Sequence, residues 1–227
     1  MSLSRRSVLV GLALAVGGCV SQRQPAMQAA SNVYVPDPYY VAMYGPITTE
    51  PWPIPGVDIS KIDPRLLRQE VDYPTSERAG TIVVDPSARF LYLVREGGKA
   101  LRYGVGVGKT EAFNFQGEAD IGRKAEWPRW TPTSDMIARE PERYGPYSDG
   151  MDGGPTNPLG PRALYLYKDG RDTLFRIHGT TEPYTIGKQV SSGCIRLFSQ
   201  DIIDLYGRVP VGTKVIVLPS YGGGGTV

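Results

Sequence analysis

Apolar residues change their spacing three times along the chain. A short run from Val8 to Val16, interrupted only by Gly11, stands at the start. From residue 20 to about 78 the composition turns to Pro, Tyr, Gln and Ser with no sustained period. Pro36, Pro38, Pro46, Pro51, Pro53 and Pro55 interrupt regular elements, so a tether leading into an extended segment is expected over 20–79. Trp52 and the tyrosines argue against full disorder, because such side chains usually pack. Asp63 to Gln69 predicts one short helix with Pro64 in its first turn, lying against the main domain.

From Gly80 the pattern becomes that of strands. Thr81 to Asp85 is β-rich, Asp85-Pro86-Ser87 turns the chain into Phe90 to Val94, and Gly97-Gly98 turns it into Ala100 to Val107. A β-meander is expected. Lys109 to Gly160 carries many Gly, Pro, Trp and Asp residues with little alternation and predicts long loops, which in a compact domain usually serve a site. Strands resume at Ala163 to Tyr167 and Leu174 to Ile177, with His178 directly after. Ile202, Ile203, Leu205 and Tyr206 suit one short amphipathic helix over 199–206, with Ser199 as N-cap and Gly207 as terminator. Val215 to Leu218 closes the domain, and 219–227 is a flexible Gly-rich tail. No helices alternate with the strands as a parallel α/β fold requires. The expectation is one mostly-β domain over 80–218, with long loops and one or two short helices, long enough for its own core.

The opening run, with Arg5 and Arg6 before it, is too short to span a bilayer as a folded helix, and residues 1–19 read as an export signal. A buried N-terminal helix is the plain alternative. Val16-Gly17-Gly18-Cys19 resembles a bacterial lipobox, whose cysteine is lipidated. That implies a membrane anchor at Cys19; ordinary cleavage or a retained anchor are the competing outcomes. Ser4-Arg5-Arg6 also resembles, weakly, a twin-arginine signal. The chain holds 25 Lys+Arg against 23 Asp+Glu, and loss of Arg5 and Arg6 leaves 23 against 23. No basic stripe with interleaved aromatics stands out, so nucleic acid is not an expected partner.

The candidate chemistry rests on a lone pair of residues. His178 is the only histidine, and once Cys19 is processed Cys194 is the only thiol. Both are flanked by glycine, in Ile177-His178-Gly179-Thr180 and Ser191-Ser192-Gly193-Cys194-Ile195-Arg196. A free thiol in an oxidising exported compartment points to a chemical role. A thiol near pKa 8.5 attacks weakly until an imidazole takes its proton, and the amides of Gly193 and Cys194 are expected to form an oxyanion hole. The plain reading is a buried filler cysteine and a satisfied strand-end histidine. One His and one Cys leave a zinc site short of ligands, so neither metal nor cofactor is expected.

His178-Gly179-Thr180, Ile186-Gly187 and Ser191 to Leu197, together with Thr81 to Asp85, Phe90 to Leu93, Pro132-Thr133 and Asn157 to Gly160, occur in order. Over about 80–218 this closely resembles the L,D-transpeptidase (YkuD) catalytic domain, in its Ser-Ser-Gly-Cys form. The resemblance implies a YkuD-like β-sandwich and an enzyme of the bacterial cell envelope acting on peptidoglycan stem peptides. It makes Cys194 the acyl acceptor and His178 its base, with the Gly179 carbonyl orienting the ring. It places Arg196 beside the nucleophile and Ser191 in support by hydrogen bonding. Ser192 stands where histidine is frequent, and Ser134 where glycine is. Trp127 and Trp130 are candidates for the substrate cleft or for core packing; Tyr184 and Lys188 are candidates for contact with a carboxylate-rich peptide or for plain surface roles. The amine that resolves the thioester is left open: another stem peptide, a protein lysine, a D-amino acid or, for a carboxypeptidase, water. An idle wall-binding lipoprotein and a cysteine hydrolase of unrelated peptides are the readings from other classes.

Overall fold

A computed structural model describes residues 36–109, 115–191 and 193–220. Residues 1–35, which include Cys19 and the stretch read as an export signal, residues 110–114, Ser192 and residues 221–227 of the expected tail lie outside the described residues. The strands are β1 (Gln69–Asp72), β2 (Ile82–Asp85), β3 (Phe90–Arg95), β4 (Lys99–Gly104), β5 (Val107–Gly108), β6 (Gly117–Glu126), β7 (Arg162–Lys168), β8 (Arg171–His178), β9 (Gln189–Ser191), β10 (Ile195–Arg196) and β11 (Lys214–Val217). Nine of them form one mixed sheet in the order β1-β4-β3-β2-β11-β6-β7-β8-β10, and β5 pairs with β9 in a second, two-stranded sheet. The fold is mostly β, with only short helices: α1 (Pro38–Met43), α2 (Ser134–Arg139), α3 (Pro141–Tyr144) and α4 (Ser199–Arg208).

The expected meander is β2-β3-β4, antiparallel throughout. Its alternation places Ile82, Val84, Leu91 and Leu93 in one core with Val215 and Val217 of β11. α4 adds Ile202 and Leu205, both fully buried, each contributing roughly 1.5–3 kcal/mol by removal from water. The helix runs past the expected stop: Gly207 lies inside it, and Phe198 rather than Ser199 holds the cap position. The Ser199 hydroxyl donates instead to the Thr180 carbonyl at 3.1 Å.

Two expectations are corrected. Within the stretch read as long loops lies β6, ten residues long. Its sequence buries only Ala119 and Ile121, so it shows almost no alternation. A register irregularity between Ile121 and Arg123 disguises it further, and at Gly122 a Cβ would stand 2.3 Å from the Tyr167 ring.

The second correction concerns the segment read as tether and extended chain. From residue 36 onward it is built into the domain. The Asp37, Asp58 and Asp63 carboxylates cap α1 and two single 3-10 turns, Ile59–Lys61 and Pro64–Leu66. Tyr44, Ile59 and Leu67 bury against Ile186 and Phe198 as a second core. β1 pairs antiparallel with β4 and becomes the outer strand of the sheet. The approach is close: a Cβ on Gly104 would lie 2.5 Å from the Leu66 carbonyl oxygen. The Tyr44 hydroxyl sits 3.0 Å from both oxygens of the buried Asp201 carboxylate and accepts the Arg68 amide at 2.6 Å. Arg68 pairs with Asp204 at 2.8 Å, which also accepts from the Tyr103 hydroxyl at 2.7 Å. Farther along, Glu50 takes two bonds from the largely buried Arg162 guanidinium and one from the Trp127 indole.

Candidate active site

The site is built by the parallel pair β8 and β10. Ile195 lies opposite Ile177 and Arg196 opposite His178. Register partners share a face and neighbours along a strand alternate. Ile177 and Ile195 therefore turn into the core, while His178 and Arg196 turn outward together. One residue before β10, Cys194 continues the outward row beside Arg176. His178 and Cys194 are thus diagonal neighbours on one face, a separation of about 7–8 Å between backbones. Both line a cleft of about 850 Å³, along with Arg176 and Arg196.

The short β10 is held from its other side by Gly106, whose N–H donates to the Arg196 carbonyl at 2.9 Å and whose carbonyl accepts the Arg196 N–H at 2.8 Å. Only glycine fits there, since a Cβ would meet the Thr185 oxygen at 2.8 Å. The Ser191 hydroxyl closes the turn before the thiol, donating to the Cys194 carbonyl at 2.7 Å and accepting the Gly193 amide at 3.1 Å. The Gly193 amide is therefore engaged by Ser191, contrary to the expectation that it points free into an oxyanion hole. Gly193 adopts φ 133°, a backbone region that disfavours any side chain.

His178 Nδ1 lies 2.6 Å from the Gly179 carbonyl oxygen. A carbonyl only accepts, so Nδ1 carries the proton and Nε2 keeps its lone pair. Burial, followed by the positive charge of Arg196, pushes the imidazole pKa down to about 3, against the Gly179 and Leu159 carbonyls, which pull it upward. The ring is neutral at physiological pH. The half-buried thiol is pushed up by its own burial, with the Arg176 backbone N–H and the Arg176 and Arg196 charges opposing. The resting pair is a neutral thiol and a neutral imidazole.

Of the four aromatic and basic residues proposed for the cleft, Trp130 lines it and the others do not. Trp127 packs edge-on against Trp52 at 4.9 Å and donates to Glu50. Exposed Tyr184 donates its hydroxyl to Glu182, and Lys188 stands 5.9 Å over the Tyr184 ring. Three contributors were missed. Glu182 accepts from Arg196 at 2.9 Å and orients that guanidinium. Arg176, two residues before His178 on the same strand, shares its face, a signal that strand periodicity contains. Asn157 is fully buried; its amide reaches the Pro128, Met151 and Asp152 carbonyls and its oxygen accepts the Leu159 N–H, fixing the cleft wall at Pro158 and Leu159.

Comparisons with known proteins agree on one family. A family model described as the L,D-transpeptidase catalytic domain matches residues 79–217. A "Probable L,D-transpeptidase YbiS" of Escherichia coli (strain K12) is 34% identical over 150 residues, 65% of this chain and 47% of that protein. A "Putative L,D-transpeptidase in ATP synthase subunits region ORF 5" of Fuscovulum blasticum is 37% identical over 140 residues, 60% of this chain and 68% of that one. A solved structure described as a "Probable carnitine operon oxidoreductase caia" from Brucella melitensis is 51% identical, covering 71% of this chain and 99% of that one, with a TM-score of 0.48. The chain spans about half the length of YbiS. With its matched residues running from just before β2 to the end of β11, the chain belongs to the L,D-transpeptidase catalytic-domain family.

Proposed function

We propose that the protein is a cysteine-dependent L,D-transpeptidase acting on peptidoglycan tetrapeptide stems. The observation that carries this is that His178, ending β8, and Cys194, just before the parallel β10, line one cleft. Cys194 leaves the Arg176 N–H, and its proton passes to His178 Nε2. The thiolate attacks the carbonyl at the L-centre of the diamino acid, forming a C–S bond and an oxyanion. Collapse breaks the C–N bond, and D-Ala departs as an amine with the proton from His178. An incoming amine, deprotonated by the neutral imidazole, then displaces the sulfur and restores the thiol. When the amine belongs to a second stem, the product is a 3-3 crosslink. The neutral imidazole supports the base role.

The test is incubation of the protein with purified tetrapeptide muropeptides, read by mass spectrometry. Expected are an adduct on Cys194 equal to the stem minus D-Ala, and dimers that C194A does not form. D-Ala exchange products or tripeptides in their place would identify a different acceptor. No D-Ala release, or equal release by C194A, overturns the reading. We further propose export and lipid anchoring at Cys19, supported by the leader's composition. Cys19→Ala should then move the protein from the membrane to the soluble fraction, and an unchanged distribution refutes anchoring.

A further inference from the structure

The cleft wall is far more basic than the chain. Against a nearly balanced overall charge, its lining includes six arginines, Arg123, Arg129, Arg139, Arg143, Arg176 and Arg196, and two carboxylates, Asp135 and Glu182. Several of these guanidinium groups are already matched. Arg129 pairs with Asp152, Arg143 with Glu140, Arg176 with Asp172 and Arg196 with Glu182. Arg123 differs. It is exposed, lines the cleft, and pairs with no carboxylate among the described residues.

Its placement comes from the sheet. Arg123 of β6 lies opposite Tyr165 of β7, and Tyr165 opposite Arg176 of β8. Cys194 extends the same row beside Arg176. The row Arg123–Tyr165–Arg176 thus crosses three strands on one face and leads to Cys194 just before β10, about three spacings of 4.8 Å from end to end. The next row holds Ala163 opposite His178. Ala163 itself is fully buried beneath that row. The Arg123 guanidinium leans back along its row, 3.6 Å from the Tyr165 ring centroid, and the Arg176 guanidinium lies 4.2 Å from the same ring. Tyr165 is almost wholly buried and acts as a fixed platform. A planar, permanently charged fork on a rigid ring, facing no carboxylate among the described residues, suits an anionic ligand group.

Resting on the proposed transpeptidase reading, we infer that Arg123 is a specificity residue that selects donor stems whose glutamate or diamino-acid side-chain carboxylate is free over stems in which that group is amidated. Apart from the terminal D-Ala carboxylate common to every tetrapeptide stem, two carboxyls can be amidated, the α-carboxyl of the γ-linked glutamate and the side-chain carboxyl of the diamino acid. Amidation removes the charge and places a donor NH2 where the guanidinium also donates.

The experiment measures D-Ala release by the full chain from three soluble tetrapeptide stems: free acid, amidated at the glutamate α-carboxyl, and amidated at the diamino-acid side-chain carboxyl. One amidated stem should fall about tenfold in kcat/KM, the discrimination expected of one partly exposed charge-assisted contact. Which stem falls identifies the carboxylate. R123Q should bring that ratio to within about twofold, and R123K, which keeps the charge but not the planar stacked fork, should keep only part of it. Equal turnover of all three stems by the unaltered protein overturns the inference and leaves the transpeptidase reading standing. So does a parallel loss on all three in R123Q, the mark of general damage. Release from none of them overturns the functional reading, and the inference with it.

Discussion

The buried carboxylate of Asp201 should make the fold weaken as pH rises. Asp201 is fully buried on α4, and burial pushes its pKa from the ordinary 3.8 up to about 7; the Arg68 charge and the Tyr44 hydroxyl only partly oppose this. Folded, the group holds its proton to about pH 7; unfolded, it releases it near pH 4. Between those values the folded state binds the extra proton, so stability falls as pH rises, and the loss is complete above pH 7. A shift of about three units corresponds to something on the order of 4 kcal/mol. Asp201→Asn keeps an acceptor for Tyr44 and cannot ionise. The assay is thermal and urea unfolding of both proteins at pH 5 and pH 8. Other titrating groups are common to the two proteins, so the difference between their pH profiles isolates Asp201. From pH 5 to pH 8 about two of those units are lost, on the order of 3 kcal/mol, so the drop in Tm should be smaller in D201N by roughly 5–10 °C, at about 2–4 °C per kcal/mol. Parallel profiles for the two proteins would refute the reasoning.

Three further outcomes are expected. Glu50→Ala leaves the Arg162 guanidinium, whose side chain is 9% exposed, without its carboxylate and the Trp127 indole without an acceptor. It should cost about 3–5 kcal/mol by urea titration, and a loss under 1 kcal/mol would contradict the account. Because burial raises the Cys194 thiol, alkylation by iodoacetamide should keep accelerating past pH 9; a plateau below pH 8 would show a pre-formed thiolate. Since His178 titrates at about 3 in the free protein, kcat/KM should show no loss with a midpoint near 6.5 on acidification, and a limb there would mean the ring is charged at rest.

The meander, the last strand and α4 were legible because each buries one face and shows the matching period. His178 was legible as the single histidine, and Cys194 by the glycine-flanked motif around it. The features that escaped depend on partners distant in sequence. Tyr44 meets Asp201 157 residues away, and Glu50 meets Arg162 112 residues away. Neither pairing leaves a local mark, and the prolines around them read as loose chain. β6 escaped because it exposes most of its side chains and bulges in the middle. Trp127 could not be distinguished from Trp130 by composition, since its fate is set by Glu50 and Trp52.

The outer strand β1 and the capped turns before it set a practical limit on dissection. The family match starts at residue 79, ten positions after β1 begins. A recombinant fragment trimmed to that match would lose Tyr44 and Leu67, stranding Asp201 without its hydroxyl donor and baring Phe198. It would also uncover the backbone N–H and C=O groups of β4, an open template on which further copies can stack. The smallest piece that can be handled independently therefore starts upstream of Asp37. Insolubility of the shorter fragment would reflect an amputated fold and would carry no information about the enzyme.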